Sequence, residues 1–330
     1  MMTAKNTTVV FLLSIMAGLS LAAKPYTVIE LGTLGYWDNW YTEAKGINDK
    51  GQVVGLSKTS TGQTHAFFWE AGVMTDLGTF GGRESCACAI NDKGQVLGWA
   101  DAPDGTNLAF IWDKVHGKQD LGLFTGYDIN ENGQVAGFSS SRAMVWDSQA
   151  GVRQLSSQYS VACGLNDIGQ VVGNSGPDQH AFVWDTSGFR DLGTLGGGYS
   201  RAYAINNAGQ VVGYSATSTG DIHPFLWDEE NGMVDLWGIT GDTGWAFGIN
   251  DLGQVVGGSH VNNAAHVFIW DEINGMRDLT SILGLTGYLK GEDINNKGQI
   301  VAGRYILSPV PEPCMLLLLG LGGIILRKSA

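Results

Sequence analysis

The residues Ile205-Asn206-Asn207-Ala208-Gly209-Gln210-Val211 give the clearest indication of the fold, because their pattern occurs seven times in this chain of 330 residues. The pattern is Ile-Asn-x-x-Gly-Gln-Val/Ile, with Leu replacing the first Ile in one copy. The copies begin at Ile47, Ile90, Ile129, Leu165, Ile205, Ile249 and Ile294. A repeat of about 40 residues predicts a modular fold in which each copy is one supersecondary unit.

Two further motifs follow the first six copies in a constant order. The first is an apolar run that ends in Trp69, Trp112, Trp146, Trp184, Trp227 and Trp270. The second is Asp-Leu or a variant of it, at Asp76-Leu77, Asp120-Leu121, Gln154-Leu155, Asp191-Leu192, Asp235-Leu236 and Asp278-Leu279. Chance does not produce so ordered a series, so the repeats share one structure.

Each repeat is predicted to form four short strands. In the first repeat these are 44–48, 52–57, 66–69 and 76–79, which are rich in β-branched and aromatic residues between Gly, Asn and Asp. The four residues from Asn48 to Gly51 predict a tight turn, in which the Asn side chain bonds the backbone ahead and Gly takes a positive φ. Four strands in about 40 residues are typical of a β-propeller blade.

The two ends of the repeat region complement each other. The last repeat stops after Leu307 without a Trp or an Asp-Leu strand, whereas residues 30–35 near the N-terminus copy residues 191–196. We therefore predict an all-β, seven-bladed β-propeller of four-stranded blades, closed by the N-terminal strand, which protects the sheet edges. The Ala- and Gly-rich first strands are expected innermost, with the Trp side chains packed between blades. An open array of repeats is the alternative.

Composition narrows the class of protein. The chain has 49 Gly without a collagen period, and 44% of its residues are hydrophobic, which excludes collagen and disorder. Acidic residues outnumber basic ones by 32 to 19. This balance argues against a nucleic acid as partner.

Both ends have the composition of targeting segments. Residues 1–23 contain Lys5, an apolar stretch and a small-residue end, which indicate a secretory signal peptide, with a membrane helix as the alternative. Residues 309–330 contain Val310, Pro311, Glu312 and Pro313, an uncharged segment from Cys314 to Leu326, and then Arg327 and Lys328. The uncharged segment is shorter than a typical transmembrane helix, which favours transient membrane contact. The repeat domain is assigned to residues 24–308.

The C-terminal segment resembles the PEP-CTERM sorting signal of Gram-negative bacteria through Val310-Pro311-Glu312-Pro313, the Leu-rich stretch and Arg327-Lys328. This resemblance implies processing by an exosortase-type enzyme and a secreted or cell-surface location. An ordinary C-terminal membrane anchor is the alternative. The repeats resemble the extracellular HAF repeat family through His65-Ala66-Phe67, His180-Ala181-Phe182 and the stretch Asp191 to Gly197. That second resemblance implies secretion and repeats without an assigned activity.

Several polar residues were candidates for chemistry. His65, His180, His223 and His266 occupy equivalent positions on successive repeats, so they cannot converge on one metal ion and are expected to cap or pack the third strand. Cys86, Cys88 and Cys163 are expected to be buried thiols rather than a disulfide or a zinc site. Weak calcium binding at the Asn turns stays open. We expect no catalytic residue, metal or cofactor.

One loop stands out as a candidate ligand-binding site: Tyr36, Trp37, Asp38, Asn39, Trp40 and Tyr41. Its aromatic rings can stack on a sugar, or they can fill the gap where the ring closes. The sequence therefore favours a non-catalytic binding or structural scaffold, with exopolysaccharide or a surface protein as partner. A carbohydrate-binding module of the exopolysaccharide matrix is one alternative. A hydrolase that uses Asp128, Glu292 and Asp293 on the first strands is another.

Overall fold

The computed structural model describes residues 25–35, 41–236, 243–261 and 264–310. The all-β prediction is confirmed, since the described residues contain 28 strands and one short helix, α1 (Leu279–Leu283). Residues Val28–Pro309 form one compact unit. Among the described residues, no helix has the length and apolar composition needed to cross a membrane.

We number the repeats by their turn Asn, so that repeat one contains Asn48 and repeat seven contains Asn295. The strands are numbered in chain order. The chain begins with β1 (Tyr26–Glu30). Repeats one to three contain β2 (Thr42–Ile47), β3 (Val53–Lys58), β4 (Thr64–Glu70), β5 (Val73–Asp76), β6 (Ser85–Ile90), β7 (Val96–Asp101), β8 (Asn107–Asp113), β9 (Gly117–Gly122), β10 (Thr125–Ile129), β11 (Val135–Ser139), β12 (Arg142–Asp147) and β13 (Gly151–Gln154). Repeats four and five contain β14 (Ser160–Leu165), β15 (Val171–Ser175), β16 (His180–Asp185), β17 (Gly188–Gly193), β18 (Gly196–Ile205), β19 (Val211–Thr217), β20 (Ile222–Asp228) and β21 (Gly232–Asp235). Repeats six and seven contain β22 (Thr243–Ile249), β23 (Val255–Val261), β24 (Ala264–Asp271), β25 (Gly275–Asp278), β26 (Gly291–Ile294), β27 (Ile300–Ala302) and β28 (Tyr305–Pro309).

The prediction of seven separate four-stranded blades is wrong. The sheets formed by the described residues are five four-stranded blades and one eight-stranded sheet. In the eight-stranded sheet, β20 of repeat five pairs in parallel with β22 of repeat six through Ile222 and Thr243. This single bridge joins two sets of strands that the repeat pattern treats as separate, because sequence periodicity carries no information about pairing between repeats.

The first and last described strands share a sheet, whose order is β1-β28-β27-β26. The Leu31 N–H donates to the Arg304 carbonyl at 3.0 Å, and Arg304 Nε lies 2.9 Å from Glu30 Oε1. The N-terminal strand was expected to begin with the copied motif at Glu30. Instead, β1 ends at Glu30, so it precedes most of that motif. Within the copied motif, Leu34 forms an isolated β-bridge with Thr59. The equivalent Leu195 of repeat four forms the same kind of bridge with Thr217.

The fourth strand of the first repeat also begins earlier than predicted. β5 ends at Asp76, where the expected strand was to begin. The Gly78 N–H donates to Asp76 Oδ1 at 2.7 Å, and Gly78 has φ +63°. The Asp side chain and the left-handed Gly turn the chain away from the ladder, so the Asp-Leu motif ends the strand.

The turn prediction is confirmed. In repeat one, Gly51 has φ +76° and its N–H donates to the Asn48 carbonyl at 2.9 Å. Asn48 Oδ1 accepts from the N–H groups of Lys50 and Gln52 at 3.1 and 3.0 Å. The Asn side chain therefore replaces backbone partners inside the turn, as an Asx-type turn does.

The core lies between neighbouring sheets. One cluster contains Val54 and Phe68 of repeat one and Ile90 and Phe110 of repeat two, with the half-buried Trp112 packed against it. Similar clusters join the other repeats, so the prediction that the Trp side chains pack between blades is confirmed. Burial of such aromatic surface is the main stabilising contribution between repeats.

Candidate binding site at the mouth of the inner strands

The first strands of the repeats form the inner ring of the propeller, because each contacts the first strand of the next repeat and β26 contacts β2. A Cβ atom on Gly46 would lie 3.3 Å from the Ala89 Cα, and one on Gly248 would lie 3.1 Å from the Asp293 Cα. Backbones this close favour small residues. The predicted innermost position of the Ala- and Gly-rich strands is thus confirmed.

A ring of asparagines closes one end of the inner strands. Each Asn Nδ2 donates to the backbone carbonyl of the equivalent Asn in the next repeat, at 2.8 to 3.1 Å. The last bond runs from Asn295 to Asn48, so the ring is continuous. Its members are Asn48, Asn91, Asn130, Asn166, Asn206, Asn250 and Asn295.

The residue after each Asn forms a second ring. Its side-chain oxygen accepts the N–H of the equivalent residue in the preceding repeat, at 2.5 to 3.0 Å. Both rings line an axial cavity of about 230 Å³. The members of the second ring are Asp49, Asp92, Glu131, Asp167, Asn207, Asp251 and Asn296. Because each side chain accepts an inter-repeat N–H, the acidic residues of this ring stabilise ring closure.

No group of three or more His, Cys, Asp or Glu side chains is placed to hold a metal ion in the part of the chain that the structure describes. Asp128 and Asp293 lie on the inner strands, and each carboxylate joins two repeats. Asp128 accepts the N–H groups of Ile129 and Leu165, at 2.8 and 3.1 Å. Asp293 accepts those of Ile294 and Ile47, at 2.8 and 2.9 Å.

Burial raises the pKa of Asp128 to about 6 and that of Asp293 to about 7, although the backbone N–H bonds act in the opposite direction. Neither residue lines the axial cavity or the pocket described below. The hydrolase alternative required two of Asp128, Glu292 and Asp293 in one open pocket. Of the three, the structure places only Glu292 in the pocket described below, and the other two act as ties between inner strands.

The opposite end of the inner strands, where each of them begins, is called the mouth. At the mouth, a chain of alternating charges links repeat one to the neighbouring repeat seven. Lys45 Nζ lies 2.6 Å from Glu43 Oε1 and 3.5 Å from Glu292 Oε1, and Lys290 Nζ lies 3.1 Å from that same oxygen. Burial lowers the pKa of Lys45. The negative charges of Glu292 and Glu43 raise this pKa by more, so it lies above the usual value for a lysine.

Aromatic rings continue the mouth from repeat seven to repeat four. Lys290 Nζ lies 4.6 Å from the centroid of the Phe247 ring, and this ring lies 5.1 Å from that of Tyr203. Arg201 stacks over Tyr203 at 5.2 Å, and its Nη2 donates to Cys163 Sγ at 3.3 Å. Burial raises the pKa of the Cys163 thiol, and Arg201 partly offsets this effect. Cations over aromatic faces are stabilising and fix both groups.

A pocket of about 360 Å³ opens at the mouth between β2, β26 and the segment that precedes β26. Its lining combines apolar surface with polar, charged and aromatic groups, and consists of Thr42, Glu43, Thr286, Gly287, Tyr288, Leu289, Lys290, Glu292, Gly303 and Arg304. We call it the mouth pocket. Its volume is in the range of about 300 to 1,000 Å³ that is usual for small-molecule sites.

The mouth pocket was not predicted from the sequence, although the repeats contain a signal for it. Whereas the position four residues before each ring Asn is always Ala or Gly, the position three residues before it breaks the repeat pattern. Its occupants are Lys45, Cys88, Tyr127, Cys163, Tyr203, Phe247 and Glu292. A variable position inside a constant repeat indicates a surface that serves binding rather than packing.

Most of the predicted binding loop and sorting signal lies outside the described residues. This applies to Tyr36, Trp37, Asp38, Asn39, Trp40, Pro311, Glu312, Pro313, Arg327 and Lys328. Tyr41 is described: it is 45% exposed, directly precedes Thr42 of the mouth pocket, and has Lys58 Nζ 3.9 Å from its ring centroid. Val310 is the last described residue and is 38% exposed.

The four equivalent histidines have a role more specific than packing. Each Nδ1 lies 2.7 to 2.9 Å from a carboxylate of the Asp-Leu motif, in the pairs His65–Asp76, His180–Asp191, His223–Asp235 and His266–Asp278. In repeat three, Arg142 replaces the His and donates to Gln154, which replaces the Asp. The two motifs therefore occur together because their side chains join the third strand to the fourth.

The cysteine predictions have mixed outcomes. Cys86, Cys88 and Cys163 are free thiols, in agreement with the sequence-based expectation. Cys86 and Cys163 are buried, whereas Cys88 is half-buried. The hydrogen bond with Cys88, together with burial, raises the pKa of Cys86 well above its usual value.

Comparison with known proteins identifies the fold. No family model matches the chain, and no curated protein matches it. Among solved structures, a streptogramin B lyase matches with a TM-score of 0.58 at 12% identity, over 86% of this chain and 98% of the other. Virginiamycin B lyase from Staphylococcus aureus matches with a TM-score of 0.53 at 13% identity, over 86% and 100% of the two chains.

TolB from Acinetobacter baumannii matches with a TM-score of 0.51 at 10% identity, over 79% of this chain. The chain covers 64% of TolB. At these identities the likeness extends to the fold alone. The protein is thus a β-propeller repeat protein with distant structural neighbours of differing functions.

Proposed function

We propose that the protein is an exported, non-catalytic β-propeller that acts as a binding and structural scaffold at the cell surface or in the extracellular matrix, with the mouth as its binding surface. The combination of aromatic rings and paired charges at the mouth supports this proposal. Such a combination recognises a ligand through stacking and hydrogen bonds, and it includes a position at which the repeats differ from one another.

The two ends of the sequence support export. An apolar segment follows Lys5, and the PEP-CTERM-like segment begins at Val310, which we propose an exosortase-type enzyme recognises. Fractionation of the native cells and mass spectrometry of the C-terminus test this route. We expect an extracellular or surface-bound product that ends near Pro311. A product that keeps Ala330 and stays in the inner-membrane fraction contradicts sorting.

Binding is tested by co-sedimentation of the purified full chain with matrix material from the producing cells. We expect the chain to bind, and Lys290→Ala to weaken binding because Lys290 orders both Glu292 and Phe247. Lys297→Ala is the matched control, since Lys297 lies on the turn of repeat seven, at the Asn end of the inner strands. Equal binding by both variants argues against the mouth as the binding surface.

A further inference from the structure

We propose that the mouth pocket binds a neutral saccharide, with the Tyr288 ring as the stacking surface and the paired charges of Glu43, Glu292 and Lys290 as hydrogen-bond partners. This inference rests on the proposed function and specifies its ligand. It also places the site between repeats one and seven and the segment that precedes β26, rather than in the Tyr36–Tyr41 loop.

The electrostatics of the mouth pocket favour a ligand without net charge. Lys45 and Lys290 are paired with Glu43 and Glu292, as described above, and Arg304 Nε lies 2.9 Å from Glu30 Oε1. Acidic and basic groups are therefore balanced around the pocket. An anion gains from the lysines and loses from the carboxylates, and a cation does the reverse. A neutral ligand avoids both penalties.

The same pairs still have hydrogen-bonding capacity for a polyhydroxylated ligand. Both lysines contact the same oxygen of Glu292, while an ionised carboxylate has about four acceptor positions and an ammonium group has three donors. Glu292 is 11% exposed at its side chain and Lys290 is 34% exposed. A sugar hydroxyl both donates and accepts, so one hydroxyl can bond a carboxylate and a neighbouring ammonium group together. Such charge-assisted bonds are stronger than neutral ones.

Tyr288 supplies an ordered aromatic surface at the pocket. Its side chain is 70% exposed, yet its hydroxyl lies 2.9 Å from His260 Nε2. The His260 ring is in turn held edge-on between Trp245 at 5.3 Å and Tyr288 at 5.8 Å. An exposed ring that is already fixed loses little conformational entropy on binding. Its negative face attracts the polarised C–H groups on the apolar face of a pyranose ring.

The test uses the full chain on an array of immobilised neutral, uronate-containing and amino-sugar oligosaccharides, followed by calorimetry with the best ligand. We expect neutral saccharides to bind and their affinity to change little up to about 0.5 M salt, because no net charge is screened. Strongest binding to charged oligosaccharides, with loss of affinity in salt, overturns the inference. Absence of binding to any oligosaccharide also overturns it.

Variants locate the site. Tyr288→Ala is expected to weaken binding by about fivefold or more, because the stacking surface is lost. Tyr288→Phe keeps the ring and is expected to retain most of the affinity. Phe189→Ala is the control, since Phe189 is a 40% exposed aromatic residue on β17, the fourth strand of repeat four. Thermal unfolding of each variant shows whether the fold is intact, and equal affinity of Tyr288→Ala and wild type contradicts the assigned site.

The two proposals fail in different ways. If the chain binds matrix and Lys290→Ala weakens that binding, but no neutral saccharide binds, the saccharide inference is wrong and the scaffold function stands. If the chain binds neither matrix nor any oligosaccharide, the proposed function fails as well.

Discussion

The ring of asparagines predicts a large loss of stability for Asn250→Ala. The Asn250 side chain is 4% exposed and makes four hydrogen bonds. Its Nδ2 donates to the Asn295 carbonyl at 3.0 Å and to Gln254 Oε1 at 2.8 Å. Its Oδ1 accepts from the N–H groups of Leu252 and Gln254, at 3.1 and 3.0 Å. The substitution therefore removes the side-chain hydrogen bonds of one turn and a hydrogen bond between repeats six and seven.

The size of the loss follows from these four bonds. Each contributes about 1 kcal/mol net, and a buried group left without a partner costs about 1 to 3 kcal/mol. We expect Asn250→Ala to lower the free energy of unfolding by about 4 kcal/mol. In a domain of this size, 1 kcal/mol lowers the Tm by about 2 to 4 °C, so the expected decrease in Tm is roughly 10 °C.

Urea and thermal unfolding followed by tryptophan fluorescence and circular dichroism measure this loss. Asn231→Ala is the matched control, because Asn231 is an exposed Asn whose Nδ2 bonds Asp228 within one turn. We expect the control to cost about 1 kcal/mol or less. If Asn250→Ala and Asn231→Ala cost the same, the asparagine ring does not contribute to stability as the structure indicates.

Two further predictions concern single positions. The contribution of Asp293 to the free energy of unfolding should fall as pH rises from about 4 to about 7. Its pKa in the folded state is raised to about 7, above the value of about 3.9 in the unfolded state. Between these values the folded state holds a proton that the unfolded state releases, so rising pH favours unfolding. The difference in unfolding free energy between wild type and Asp293→Asn, measured across this range, checks the sign, and a flat or rising difference refutes it. Gly257→Ala should destabilise the protein by about 2 kcal/mol or more, since its Cβ would lie 2.0 Å from the Trp245 carbonyl oxygen and 2.7 Å from Phe268 Cζ. Gly198→Ala, with no atom within 4 Å of its Cβ, should be neutral, and similar denaturation midpoints for both variants would contradict the close-packing argument.

Local features could be predicted because their chemistry lies within a few residues. The turn from Asn48 to Gly51 depends on a side chain that bonds the backbone two and four residues ahead and on a Gly with positive φ. The strands next to it follow from β-branched and aromatic residues. Such signals are repeated seven times, so the seven predictions support one another.

Packing of the Trp side chains between repeats was predicted, but several other features that depend on contacts between repeats were not. The eight-stranded sheet depends on one bridge between Ile222 and Thr243, and neither residue belongs to the repeated motif. The mouth pocket combines Glu43 with Tyr288 and Glu292, which are far apart in sequence. The role of the histidines was underestimated because the His–Asp pairs join residues 11 or 12 positions apart on different strands.

The all-β class, the order of strands in a repeat and the turn at each Asn follow from the amino-acid sequence, because each depends on local conformational preference. The small residues of the inner strands were also visible in the sequence, because they recur in every repeat. Three features became visible in the folded chain alone: Asn295 bonds Asn48 across 247 residues, two sets of strands share one sheet, and paired charges and the Tyr288 ring surround one pocket. The physical reason is that these arrangements depend on the distances between repeats, and those distances are fixed by packing of the whole ring.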